Sequence, residues 1–140
     1  MTKKQISLLR PIEDVLSFWD VLTPDERNFI QNTYTLHKYK KNEVIQCEGD
    51  EPTHLMILAE GKVKVYKNGF GNRAQIVRML KPGEHFGYRA IIANEVNSTT
   101  VTAFEDSTIY LISGDIFLSI LRHNNAFCYR FLEELSFDLA

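Results

Sequence analysis

Residues 80–103 read LKPGEHFGYRAIIANEVNSTTVTA, and the order of breaks and periodic runs in this stretch decides the fold. Pro82-Gly83 ends a strand, because proline lacks the N–H that a ladder needs and glycine takes the turn. Phe86-Gly87 then makes a tight approach, since a residue without a Cβ lets backbone come close to whatever lies opposite. A short helical turn over Tyr88–Ala93 follows, then a polar hairpin over 94–98. Alternation resumes in Val101 and Ala103.

Outward from this stretch, the period is two from Tyr34 to Ile112. Tyr34, Leu36, Val44, Ile45, Met56, Leu58, Val63, Val65, Ile76, Met79, Val101, Ala103, Ile109 and Leu111 fall in short runs. Turn chemistry separates the runs: Lys41-Asn42, Gly49-Asp50, Glu60-Gly61, Asn68-Gly69, Lys81-Pro82-Gly83 and Glu105-Asp106. Short strands at spacings of about 8–12 residues predict a sandwich, jelly roll or barrel. Nothing between them has the length of a crossover helix, which argues against a parallel α/β sheet.

Helices flank the strands. Residues 13–19 carry Val15, Leu16, Phe18 and Trp19 at helical spacing. Thr23-Pro24-Asp25-Glu26 predicts a capped helix: the Thr23 hydroxyl caps, Pro24 takes the first position and Glu26 closes a capping box. Phe29 and Ile30 are expected to form its buried face. After Ile112, Ser113 is the expected N-cap of a helix bearing Ile116, Phe117, Ile120 and Leu121. His123-Asn124-Asn125 breaks it, and residues 126–140 form a last helix. Cys128, Leu132, Leu135 and Leu139 space a heptad-like seam there, with Phe131 at its edge. No stop signal follows this apolar stripe, so the chain is expected to be a fragment of a longer one. A stop codon directly after Ala140 would refute that.

At 140 residues the chain suits one domain that buries about two thirds of its surface. A net charge of −2 weighs against nucleic-acid binding by this segment itself, since phosphate contacts need clustered Lys and Arg. The basic run His37-Lys38-Tyr39-Lys40-Lys41 reads as a solvated strand end. Apolar runs are too short to span a membrane, and the amino terminus lacks a signal-peptide core, so a cytoplasmic protein is expected. Cys47 and Cys128 match no zinc or redox spacing and are expected to be reduced thiols.

Two stretches carry a family resemblance. In 39–61, YKKNEVIQCEGDEPTHLMILAEG, the turn positions Asn42, Gly49 and Gly61 follow the strand-turn-strand pattern of the Crp/Fnr family of bacterial transcription regulators. Residues 80–103 resemble that family's effector cassette, F-G-E-L-A followed about ten residues later by R-[ST]-A. The resemblance covers nearly the whole chain. It implies a mainly β fold, a double-stranded β-helix or jelly-roll-like β-roll with flanking α-helices, of the cyclic-nucleotide-binding-domain type. It also implies a division into a sensor domain over 1–123 and the start of a dimerisation helix over 124–140. A DNA-reading helix-turn-helix domain would follow in the parent protein.

The same resemblance implies a ligand site at Phe86, Gly87, Tyr88, Arg89, Ala90, Asn97, Ser98 and Thr99, with Val63 and Val65 as apolar walls. Two positions depart from the pattern. Tyr88 stands where the ribose-holding glutamate is expected, and Asn97 where the phosphate-holding arginine is expected. A charge-assisted contact contributes about 1.5–3 kcal/mol, so losing it should weaken cyclic-nucleotide binding by roughly tenfold to a hundredfold. The expected effector is therefore small and anionic but not cAMP, with Arg89 as a substitute clamp or as a solvated helix residue. The seam Cys128, Phe131, Leu132, Leu135 and Leu139 is expected either to pair in a homodimer or to fold onto its own roll.

Other functions fit less well. A cupin metal enzyme needs a His-x-His pair, and His37 and His54 stand singly. An iron–sulfur cluster needs about four cysteine ligands. Haem through His85, His54 or Cys47 stays open as an alternative, as does a ligand-free sensor of the same fold. Ser98 and Thr99 have no histidine near in sequence, so no catalytic group, metal or fixed cofactor is expected.

Overall fold

The computed structural model describes residues 9–68 and 74–139, so the Gly69 half of one expected turn and the amino-terminal lysines lie outside the described residues. The amino-terminal helical segment is shorter than the apolar spacing predicts. Helix α1 spans Ile12–Val15 and a separate 3-10 turn spans Trp19–Val21. The intervening chain leaves the helix so that Leu16 and Phe18 can be buried alongside Ile12 and Val15.

Helix α2, Pro24–Thr33, starts as its sequence requires. The Thr23 hydroxyl accepts from the Glu26 N–H and the Glu26 carboxylate accepts from the Thr23 N–H, which satisfies two otherwise orphaned donors. Only one of the two residues expected on its buried face is there. Ile30 is 1% exposed, whereas Phe29 is 54% exposed. Neighbouring positions on a helix differ by about 100°, so a stripe one residue wide buries only one of them.

Eight strands are seen among the described residues: β1 Thr35–Tyr39, β2 Val44–Gln46, β3 His54–Glu60, β4 Val63–Asn68, β5 Ala74–Leu80, β6 His85–Phe86, β7 Thr100–Ala103 and β8 Ser107–Ser113. They form two antiparallel four-stranded sheets, ordered β1-β8-β3-β6 and β2-β7-β4-β5. This is the mainly β roll that the family resemblance implies, within the choice of sandwich, jelly roll or barrel left by the turn spacing.

Strands β3 and β8 read as nearly unbroken apolar runs, LMILA and TIYLI, because both of their faces are buried. Met56, Leu58, Ile109 and Leu111 face the second sheet and form an inter-sheet core with Val63, Leu80, Phe86 and Val101. The alternate residues Leu55, Ile57, Tyr110 and Ile112 face the helices and form a second core with Phe18, Ile30, Phe117, Phe127 and Phe131. The Tyr110 hydroxyl, whose pKa burial pushes up to about 12, donates to the Arg10 carbonyl at 2.7 Å. Val44 and Met79 keep the strand period but are 55% and 38% exposed.

The roll closes with α3 Tyr88–Ala93, α4 Gly114–His123 and α5 Asn125–Leu139. Ser113 precedes α4 as predicted, yet its side chain makes no capping hydrogen bond. The break between α4 and α5 is built by Asn124, which is 9% exposed. Its Oδ1 accepts from the Phe127 N–H, while its Nδ2 donates to the Val21 carbonyl and to the Glu26 carboxylate. Arg130 then grips Asp20 with two bonds of 3.0 and 3.1 Å, which holds the Asp20 carboxyl below its ordinary range. Helix α5 is thereby fastened to the amino-terminal turn as well as to the roll. None of the described helices is long and apolar enough to cross a membrane.

Candidate ligand-binding site

Strand β6 is only two residues long, and it delivers the site. Met56 pairs with Phe86 and Ile57 with His85, so β3 sets the height of the turn that follows. At that turn Gly87 has φ +86°, and a Cβ there would sit 2.8 Å from the His54 carbonyl oxygen. The absence of a side chain therefore lets the cassette lie directly on β3. Helix α3 starts at once and ends in Asn94, a non-glycine in the left-handed region at φ +56°.

All eight residues expected at the site line one cavity of about 240 Å³: Phe86, Gly87, Tyr88, Arg89, Ala90, Asn97, Ser98 and Thr99. Val65 joins them as an apolar wall, but Val63 does not; it is fully buried in the inter-sheet core. Sequence reasoning missed Gln46, Arg78, Leu80 and His85, which line the same cavity. Arg78 left a readable signal. It lies two residues before Leu80, which is 2% exposed, and so carries a charge on the inward phase of an apolar strand.

The cavity has two polar ends of different character. At its buried end Asn97 is 5% exposed, and its Nδ2 donates to the Cys47 carbonyl at 3.4 Å. Its Oδ1 is buried with no hydrogen-bond partner. The neighbouring 47–50 turn holds the residue by its backbone: the Asn97 N–H donates to the Asp50 carbonyl and its carbonyl accepts from Gly49. At the open end the Arg89 guanidinium lies 3.4 Å from Glu95 and 3.5 Å from Ser98, with its side chain 61% exposed. Across the cavity Arg78 pairs with Glu84 at 2.7 Å.

The Tyr88 ring does not lie free. It meets His85 and Phe131 edge-on, with centroids 5.4 and 5.3 Å away, and so leans toward α5. His85 also places its Nε2 3.6 Å from Glu134, whose other oxygen accepts from the Ser17 hydroxyl at 2.7 Å. A second cavity, of about 500 Å³, lies under α5 and shares Arg78 and His85 with the first. The turn after β6 and α5 are in physical contact through His85 and Tyr88.

The seam expected on α5 is divided. Phe131 is 2% exposed and belongs to the helix-facing core, and Leu135 is partly buried against it. Cys128 is exposed and Leu132 is 59% exposed. The side chain of Leu139 lies outside the described residues. Helix α5 wraps onto its own roll because Phe127 and Phe131, four residues apart, both point into the aromatic core. Leu132 and Cys128 fall on the adjoining face and, with Phe131 and Leu135, line an apolar groove beside Ile92, Leu118 and Leu121.

Among the described residues there is no group of three His, Cys, Asp or Glu side chains that could hold a metal. Of the three residues considered for haem, His85 is enclosed by rings, Cys47 is exposed and His54 bonds the Thr53 hydroxyl at 2.8 Å. Burial, and secondarily His37, lowers the His54 pKa below its ordinary 6.5. Folding thus favours its neutral form. The stability it contributes is therefore complete above pH 6.5 and declines as pH falls through the depressed value. The melting temperature should fall between pH 7.5 and 5.5, and His54→Gln should shrink that fall; equal falls in both proteins would remove His54 as the cause.

Residues 36–124 match the profile of the cyclic nucleotide-binding domain. The chain is 34% identical over 106 residues to a cGMP-dependent protein kinase of Toxoplasma gondii, covering 76% of this chain and 10% of that protein. It is 25% identical over 101 residues to the cyclic AMP receptor protein of Thermus thermophilus, covering 72% of this chain and 47% of that protein. The chain thus spans about a tenth of the kinase and about half of the receptor protein. In fold it is similar to the sensor domain of the transcriptional regulator DNR from Pseudomonas aeruginosa. The TM-score is 0.80 at 17% identity, over 99% of this chain and 92% of that one.

Proposed function

Since the chain belongs to the cyclic nucleotide-binding domain family, we propose that it is the effector-sensing and dimerisation unit of a Crp/Fnr-like transcription regulator whose physiological ligand is not cAMP. One observation carries the ligand part: Asn97, a neutral amide, holds the buried cassette position where the family resemblance places a phosphate-binding arginine. The regulator part is supported by the likeness to the receptor protein and, in fold, to a regulator's sensor domain. In this reading the effector is small, Arg89 meets negative charge at the open end, and DNA is read by a separate domain of a longer chain.

The mechanism follows from the contacts between cavity and helix. A ligand seated beside Tyr88 favours one set of ring contacts with His85 and Phe131. Helix α5 then takes one of its available positions more often, which is a population shift. Its outward side, Leu132 and Cys128, pairs with a second copy, so the shift changes how two helices meet.

Mass spectrometry of the natively purified protein should find a bound small molecule. Millimolar cAMP should raise the melting temperature little, and saturation by micromolar cAMP would sink the ligand reading. Arg89→Ala should reduce the shift given by the recovered molecule, whereas identical shifts discard the clamp. In sedimentation, Leu132→Asp should convert a dimer to a monomer; monomeric mass in both proteins removes the dimer. A kinase-linked sensor is the second reading, favoured by the 34% identity to the Toxoplasma gondii kinase. A kinase domain in the remainder of the gene would select it.

A further inference from the structure

Helices α2 and α4 enclose a groove of about 470 Å³ that shares no residue with the ligand cavity. Its floor is apolar. Ile116 and Ile120, one turn apart on α4, lie there; Ile120 is buried and Ile116 packs partly against the helix-facing core. From α2 comes Phe29, whose ring stays exposed although Ile30 beside it is buried. Single exposed apolar residues are common on protein surfaces, but this one adjoins an apolar floor. A partner that covered both would take their area out of water together.

The rim decides what can cover it. Asp25 stands one turn from Phe29 on α2, Asp115 precedes Ile116 on α4, and Glu26 completes the set. Glu26 is used internally, since its carboxylate accepts from the Thr23 N–H and from the Asn124 amide. Asp25 and Asp115 are exposed and have no ion-pair partner among the described residues. No Lys or Arg lines the groove, and the His123 Nδ1 is turned to the Ser119 carbonyl at 2.8 Å. Carboxylates in a first turn complement the helix dipole, which accounts for each of them singly. It leaves the exposed ring beside them unexplained.

We propose that this groove receives an amphipathic α-helix of a different protein, apolar on one side and edged with Lys or Arg. A ten-residue helix is about 15 Å long, so walls of the length of α2 and α4 suit a guest of about three turns. Apolar side chains of the guest cover Phe29 and Ile116, while its cations meet Asp25 and Asp115. A second copy of this chain does not supply such a helix, because each of the five described helices carries at most one Lys or Arg. Nucleic acid and anionic lipid headgroups share the sign of the rim and are repelled by it.

Fluorescence anisotropy with the full chain tests this with two labelled helical peptides. One has leucine on one face and lysine on the other; its twin has glutamate in place of lysine. Wild type should bind the lysine peptide about tenfold or more tightly than the glutamate one, and the difference should shrink as salt rises. Phe29→Ala should weaken that binding about tenfold, whereas Phe137→Ala, which removes another exposed ring, should not. The double change Asp25→Lys and Asp115→Lys should reverse the preference, and it decides the matter if Phe29→Ala does not fold. Equal binding of the two peptides, binding of neither, or equal affinities of the two alanine variants would overturn the inference. So would capture by neutral phosphatidylcholine vesicles that Phe29→Ala abolishes, since the groove would then be a lipid contact. A sedimenting mass that Phe29→Ala halves would make the occupant a second copy and overturn it as well.

Discussion

Phe127→Ala should destabilise the domain by about 3–5 kcal/mol, the usual range for emptying a buried phenylalanine site. Phe127 is 1% exposed and meets Phe18 edge-on at 4.7 Å, with Phe117 and Phe131 each at 6.2 Å. These rings come from the amino-terminal segment, α4 and α5, so the cavity would open where three elements join. Their rigidity keeps the site from collapsing around the loss, which places the effect at the upper end. Urea denaturation measures it, and hydrogen exchange should show α5 losing protection before β3 and β8. Phe137→Ala is the control. That ring is 83% exposed, and its loss should change stability by no more than about 0.5 kcal/mol. Comparable losses in the two variants would mean that α5 is not held by the aromatic core.

Gly61→Ala should cost about 2–5 kcal/mol for a different reason. Gly61 has φ +103°, where a side chain is strained by about 1–2 kcal/mol wherever it points. Here it would also point into backbone. A Cβ would meet the Asp106 carbonyl oxygen at 2.6 Å and the Ser107 Cα at 2.7 Å. Displacing β8 to make room adds about 1–3 kcal/mol, as overpacking does elsewhere. Gly49→Ala separates the two parts. Its φ is +90° but nothing lies within 4 Å, so only the backbone strain remains. Equal urea midpoints for the two alanine variants would show that the turn gives way freely. Gly87→Ala should fall between them and should also deform the cavity, since the Cβ would press on the His54 carbonyl.

Much of the architecture was legible because it is governed locally. The Thr23–Glu26 capping box, the left-handed Asn42 at φ +75° and the turn at Gly61 follow from neighbours in sequence. So does the alternation that yields two sheets. The site was legible in its continuous half: residues 86–90 and 97–99 are close along the chain and line one cavity. Its other half comes from β2, β4 and β5, whose Gln46, Val65, Arg78 and Leu80 reach the cavity only through sheet pairing. Of these, only Val65 was expected.

By itself the sequence determined the strand period and the turns, because each depends on side-chain chemistry within a few residues, while Asn97 entered through the family resemblance. Tertiary structure alone decided that Phe29 is exposed while Ile30 is buried, and that Phe131 belongs to its own roll rather than to a free seam. It also decided that the Asn97 oxygen is left without a donor. Periodicity says which residues share a face. What that face meets depends on the register of distant strands and on how helices fill the space beside them, and neither is encoded in any short stretch of chain.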